Sequence, residues 1–283
     1  MALPAHATSG ETIWHYLFRF ICGLIFLFLI GPLLVIIPLS FNAEPYFTFT
    51  DAMLSFDPAG YSLRWYQDFF TSDEWLGAIR NSFIIAIAAT FLATVLGTIA
   101  ALGLSSRFMP FRNTIMAVLI SPMIVPLIIS AAAMFFFFSK INLAQTYLGV
   151  ILAHTALGMP FVVITVTATL SGFDHSLTRA AYSLGADPTT TFFKVVLPLV
   201  TPGVISGALF AFITSFDEVV VVLFLAGPEQ RTIPIQMWSG IREQISPTIL
   251  AVATLLVVLS IFMLATIELL RRRSERLRGL TPG

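Results

Sequence analysis

The chain has 283 residues, 57% hydrophobic and only 11% charged, with equal numbers of acidic and basic side chains and a mean hydropathy of +0.92. That balance excludes an average soluble domain. The zero net charge by itself points to no partner, and nucleic acid is not expected among them. The single cysteine, Cys22, leaves no material for a disulfide framework or a thiolate metal site.

A helix needs roughly 20 apolar residues to cross a hydrocarbon layer of ~30 Å. Six runs reach that length, at 17–39, 77–104, 114–137, 147–170, 199–225 and 247–270. The expected fold class is therefore all-α, a polytopic membrane protein of six transmembrane helices. Residues 1–16 form an N-terminal tail. The stretch from Phe20 to Leu39 is too long for the core of a cleaved signal and is preceded by one basic residue, Arg19. Residues 40–76 carry acids, aromatics and two tryptophans, and are expected to cover one mouth of the bundle.

The second span has small residues at four-residue spacing, Ala89, Ala93, Gly97 and Ala101, and the fifth repeats the device with Gly203, Gly207 and Ala211. Such stripes let helix backbones approach closely; packing inside one subunit and packing between subunits are both open. Pro122, Pro126 and Pro160 fall inside spans, where each removes a backbone donor and can kink its helix. His154 lies in the fourth span, and a hydrogen-bonded core position is the plainer reading beside that of a substrate ligand.

Residues 171–198 interrupt this pattern. Ser176 is expected to cap a short helix with Leu177, Ala181 and Leu184 on one face, and Gly185 suits the left-handed position that ends it. Asp187 followed by Pro188 opens a second short helix, and Pro198 marks the entry to the fifth span. This helix–turn–helix could dock in a groove on a partner or lie on a membrane surface.

In the fifth span Phe216, Asp217 and Glu218 precede an apolar run from Val219 to Leu225. Carboxylates at mid-helix cost about 2.5–3.5 kcal/mol each on insertion scales, so they mark a functional site by default. Adjacent positions point about 100° apart, so at most one faces a pathway squarely. The alternative is a helix break capped or solvated by the acids. If they line a path they favour a cationic cargo, with Phe216 adding cation–π attraction. The sixth span is followed by a basic tail, 271–283. With both termini in the cytoplasm, ten of the fifteen Lys and Arg residues fall on that side and five on the other, the bias that favours this orientation in a membrane.

RAAYSLGADPTTTFFKVVLP, residues 179–198, resembles the EAA loop of bacterial ABC-importer permeases, Glu-Ala-Ala, three residues, Gly, nine residues, Ile, one residue, Leu-Pro. Ala180, Ala181, Gly185, Leu197 and Pro198 match, Val195 stands for the Ile, and Arg179 replaces the Glu, reversing the local charge. The stretch from Ser215 to Ser260 is similar to the second permease subunit of spermidine/putrescine importers, through Asp217, Glu218, Val219, Val220, Gly227, Pro228, Pro234 and Trp238. The resemblance implies a type I ABC-importer permease. Its partners would be ABC ATPase subunits, a second permease subunit (a heterodimer over a homodimer), a periplasmic substrate-binding protein and membrane lipid. Segment 40–76 would be periplasmic and 171–198 a cytoplasmic loop coupling to the ATPase through Arg179, Ala180, Ala181, Gly185, Asp187, Leu197 and Pro198. The cargo it implies is a polyamine. The wider subfamily also carries opines and aminophosphonates, and an inorganic anion or an ATP-independent channel or secondary transporter are further readings. The chain has no G-x-x-x-x-G-K-[ST] phosphate loop, no metal-ligand cluster and no nucleophile elbow, so no enzymatic activity and no cofactor are expected.

Overall fold

The computed structural model describes residues 8–106, 108–243 and 246–277, so residues 1–7 of the N-terminal tail, Arg107, and Arg278 with the rest of the basic tail lie outside it. Among the described residues no strand forms, and the chain divides into two compact units, Met1–Thr71 with Gly240–Ser260, and Ser72–Ser239 with Ile261–Gly283.

The first unit opens with α1 (Ser9–Leu39), which starts eight residues before the expected span. Its start is fixed by a capping box: the Glu11 amide donates to Thr8 Oγ1 and the Thr8 amide to Glu11 Oε2. The helix is apolar on every side and buries only Leu39 within the chain, as expected of a helix meant for lipid or a partner. The polar segment after it contains α2 (Asp51–Leu54), a 3₁₀ turn (Pro58–Gly60) and α3 (Arg64–Thr71). Asn42 is its hub: fully buried, it donates through Nδ2 to the carbonyls of Tyr46 and Thr48, while its own carbonyl accepts the Trp65 indole N–H at 2.8 Å. The Thr248 hydroxyl donates to Asp68 in the same unit, at 2.7 Å.

The second unit holds α4 (Asp73–Ser105), α5 (Arg112–Ile124), α6 (Leu127–Lys140) and α7 (Tyr147–Ser171). After these come α8 (His175–Ser183), α9 (Pro188–Thr191), a π turn (Phe192–Val196), α10 (Leu197–Phe216) and α11 (Val220–Leu225). Helices α12 (Ile233–Glu243) and α13 (Thr248–Leu277) run through both units.

Three expected boundaries change. The third span is not one helix: α5 and α6 meet at a 102° bend. Val125 there is extended (ψ 134°), as a residue before proline prefers, and Pro126 has no N–H to continue the ladder. Pro122 and Pro160, by contrast, stay inside α5 and α7. The fifth span starts earlier, since α9, the π turn and α10 form one apolar run from Pro188, and stops earlier, at Phe216. The last helix continues past the sixth span to Leu277, so Arg271–Arg273 belong to a helix and not to a tail. Among the described residues, five helices are long and apolar enough to cross a membrane, and the bent pair makes a sixth crossing if it acts as one.

Both small-residue stripes pack inside this chain, against α7. A Cβ placed on Gly97 of α4 would lie 2.7 Å from Val162 Cβ, and one on Gly207 of α10 would lie 2.7 Å from Val162 Cα. The glycines are there because nothing larger fits. Helix α7 is thus clamped between α4 and α10, with Ala93, Ala101, Val162, Val166, Val200 and Ala211 buried together. Gly207→Val overpacks this seam, a change worth about 1–3 kcal/mol. The expected outcome in purified protein is a melting temperature lower by about 2–4 °C for each kcal/mol. Gly103→Val, whose Cβ would meet nothing within 4 Å, should leave it unchanged.

Candidate coupling segment and substrate path

Residues 172–198 leave the bundle by one turn and return by another. The cap of α8 is Asp174, not Ser176: its carboxylate accepts from the Ser176 amide at 2.8 Å and the Ser176 hydroxyl at 2.6 Å. Asp174 has the extended backbone of a cap and α8 already starts at His175, so Ser176 falls inside the helix and donates. At the other end Gly185 has φ +84°. The Ala186 amide reaches the Ala181 carbonyl and the Gly185 amide the Tyr182 carbonyl, both at 3.0 Å, the paired bonds of a Schellman motif. Ala181 and Gly185 therefore sit where the helix ends, and small residues keep that end narrow. Arg179 and Ala180 lie on exposed positions of α8. Several apolar residues here stand exposed, Leu177, Tyr182 and Phe193 among them, and Leu184 is 88% accessible.

Asp187 caps α9 through the Thr189 amide at 3.2 Å, with Pro188 at the first helical position, as expected. The second short helix is not separate, however. It passes through the π turn, where the Leu197 amide bonds to the Phe192 carbonyl, directly into α10. Pro198 supplies the reason: it cannot donate, and its ring would collide with the carbonyl of Lys194 in regular α winding. Leu197 and Pro198 thus lie at the start of α10 and continue one helix from Asp187.

The acidic pair occupies a break. The last helical turn of α10 ends as the Asp217 amide bonds to the Ile213 carbonyl at 3.0 Å, and α11 starts at Val220. The two acids part company there. Glu218 is 8% accessible, and its Oε1 accepts the Val221 amide at 2.8 Å, capping α11. Asp217 is exposed. Next to it the Phe216 ring stacks on Phe212 (centroids 5.4 Å apart, 19° between planes) and meets the edge of Phe83 on α4 at 5.2 Å. Phe83 was not anticipated from the sequence, because a phenylalanine in an apolar span carries no signal.

Beyond α11 the loop to α12 is tied to α4 and α7 by polar groups also not anticipated. Asn81 Nδ2 donates to the carbonyls of Glu229 and Arg231, and the Tyr147 hydroxyl donates to Asn81 Oδ1 at 2.8 Å. The Ile233 amide donates to Ser82 Oγ at 2.9 Å. An asparagine inside an apolar span was the available signal. His154 is a hydrogen-bonded core residue, its Nδ1 2.7 Å from Ser215 Oγ.

Hydrogen bonds from Ser176, its hydroxyl and then its amide, hold the Asp174 carboxyl below the ordinary 3.8. The Thr190 hydroxyl does the same for Asp187. A lowered folded-state pKa means the caps contribute fully above the ordinary value and are lost as pH falls through the lowered one. Hydrogen exchange should therefore find α8 equally protected across neutral pH and losing protection only below about 3.8. Asp174→Ala should remove that protection at every pH.

Residues 93–276 match the family described as "Binding-protein-dependent transport system inner membrane component". The spermidine/putrescine transport system permease protein PotC of Haemophilus influenzae is 29% identical over 89% of this chain and 95% of its own length. The putrescine transport system permease protein PotI of Escherichia coli is 32% identical over 90% of this chain and 91% of its own. Among solved structures, a chain of a bacterial ABC transporter that imports the acidic polysaccharide alginate superposes with a TM-score of 0.75, covering 94% of this chain and 99% of that one at 13% identity. That last likeness is one of fold.

Proposed function

This chain belongs to the family of binding-protein-dependent transport system inner membrane components, and we propose that it is the pore-forming permease subunit of an ATP-driven importer of polyamines. The carrying observation is the end-to-end likeness to permeases named for spermidine and putrescine. The break in α10 supports it: Asp217 stands exposed beside the Phe83, Phe212 and Phe216 rings. A polyamine carries several ammonium groups; a carboxylate attracts them through charge and aromatic faces through cation–π contact. Glu218, buried and committed to a cap, serves to shape the break.

The energy comes from a separate ATPase. Helix α8 and the turn at Gly185 offer exposed Leu177 and Leu184, on one side of the helix, as apolar contacts for docking. The excess of basic residues on that side supports a cytoplasmic position for this segment and both termini. A second permease subunit completes the pathway, and a periplasmic binding protein delivers the cargo. In this scheme α7 and α10, which both emerge from the coupling segment, carry its movement to the break at Asp217.

Two measurements test the reading. In cells lacking the gene, wild type should restore uptake of radiolabelled spermidine. Asp217→Asn should assemble with the ATPase yet transport on the order of tenfold more slowly, as loss of one close charge contact implies. Unimpaired uptake in that variant would remove Asp217 from the path; absence of any gene-dependent polyamine uptake would redirect the search to other solutes. For coupling, Gly185→Val should sever ATP hydrolysis from transport, whereas Gly185→Asn should retain it. A Cβ at Gly185 meets nothing within 4 Å, so the constraint is the backbone angle alone, and asparagine tolerates it. Normal coupling in the valine variant would refute the docking role of this turn.

A further inference from the structure

Helices α7 and α10 run antiparallel along a seam that carries, among the described residues, one polar clasp. On α10 the seam residues are Gly203, Gly207, Ala211 and Ser215, four apart, and all are buried. Facing them on α7 are Thr169, Val162, Gly158 and His154 in the reverse order: the Gly203 position abuts Thr169, Gly207 abuts Val162, and Gly158 abuts Ala211. At the first three levels the α7 hydroxyls beside the seam, Thr165 and Thr169, are bonded within their own helix, so these levels hold by close packing and carry no polar tie across it. The fourth is different. His154 is 1% accessible, and its Nδ1 lies 2.7 Å from Ser215 Oγ. Its other ring nitrogen, Nε2, is buried and meets no partner among the described residues. The bond to Ser215 is thus the one polar tie of a ring otherwise sealed in the apolar interior, where such a bond has no water to exchange with. A hydrogen bond fixes rotation and translation as a methyl contact cannot.

Ser215 stands two residues before Asp217, in the last turn of α10. We propose that the His154–Ser215 hydrogen bond is a positioning contact that sets the rotation of that turn, and thereby the placement of Asp217 and Phe216 toward the cationic cargo. The inference rests on Asp217 lining the path. His154 itself touches no substrate; it acts through Ser215. Its consequence is that cargo affinity depends on a bond buried outside the path.

The test is the equilibrium binding of radiolabelled spermidine to the purified permease–ATPase complex, without binding protein. Ser215→Ala and His154→Leu should each weaken binding by about three- to tenfold, the range for one net hydrogen bond. The double variant should be no weaker than the worse single one, because both remove the same bond. His154→Asn, which puts a polar atom near the position of Nδ1, should restore most of the affinity, an outcome that lost packing alone does not give. Unchanged binding in Ser215→Ala, or effects that multiply in the double variant, would overturn the proposal. Ser215→Ala and His154→Asn are mild enough to decide the matter if His154→Leu does not assemble. Asp217→Asn in the same assay separates the two claims. If it weakens binding while Ser215→Ala does not, only the positioning role falls; if it too binds normally, the path reading falls and takes the positioning role with it.

Discussion

The second unit depends on how closely two helices approach one side chain. Val162 sits in the middle of α7 with the backbone of α4 against one side and that of α10 against another, at distances that admit only Gly97 and Gly207. In lipid, apolar side chains gain nothing by leaving one hydrocarbon surface for another, so contact area at short range is what remains to hold helices together. A seam of small residues secures that area. It also makes α4, α7 and α10 one body, because each partner of α7 is held by the same residue.

That body explains how the two candidate regions can belong to one machine. Helix α7 leads into α8 at one end, and α10 begins beyond the π turn from the same segment. At its other end α10 stops at the acids, while α4 and α7 hold the loop that follows through Asn81 and Tyr147. Between the exposed face of α8 and the exposed carboxylate of Asp217 stand two short turns, at 172–174 and 184–187, and then continuous helix. In the proposed importer, a displacement imposed on the segment reaches the break along α7 and α10.

The sequence was informative where a residue type has one dominant reason to be present. Length and hydropathy located the spans; small residues at four-residue spacing located the tight seams; Gly185 and the Asp187–Pro188 pair located a turn and a helix start. It was uninformative where a choice among neighbours depends on geometry. Asp174 and Ser176 are both good caps, and only the chain path decides that Asp174 accepts and Ser176 donates. Asp217 and Glu218 read alike as adjacent acids, yet Glu218 falls where it can reach forward to the Val221 amide and be buried, while Asp217 stays exposed. Pro126 was visible as a possible kink, but a bend of 102° depends on Val125 adopting the extended conformation as well.

The π turn has a consequence for how this chain can vary. It winds one more residue into a turn than the surrounding α-helix holds, since the Leu197 amide skips to the fifth preceding carbonyl. Everything downstream is phased by that extra residue. Removing one residue between Phe192 and Val196 would let regular winding resume and rotate α10 by about 100°. Its glycines would then leave α7 and bulkier side chains would take their place. Alignments that close a one-residue gap here would misassign every face of α10, and natural insertions or deletions at this point should be found only in compensating pairs.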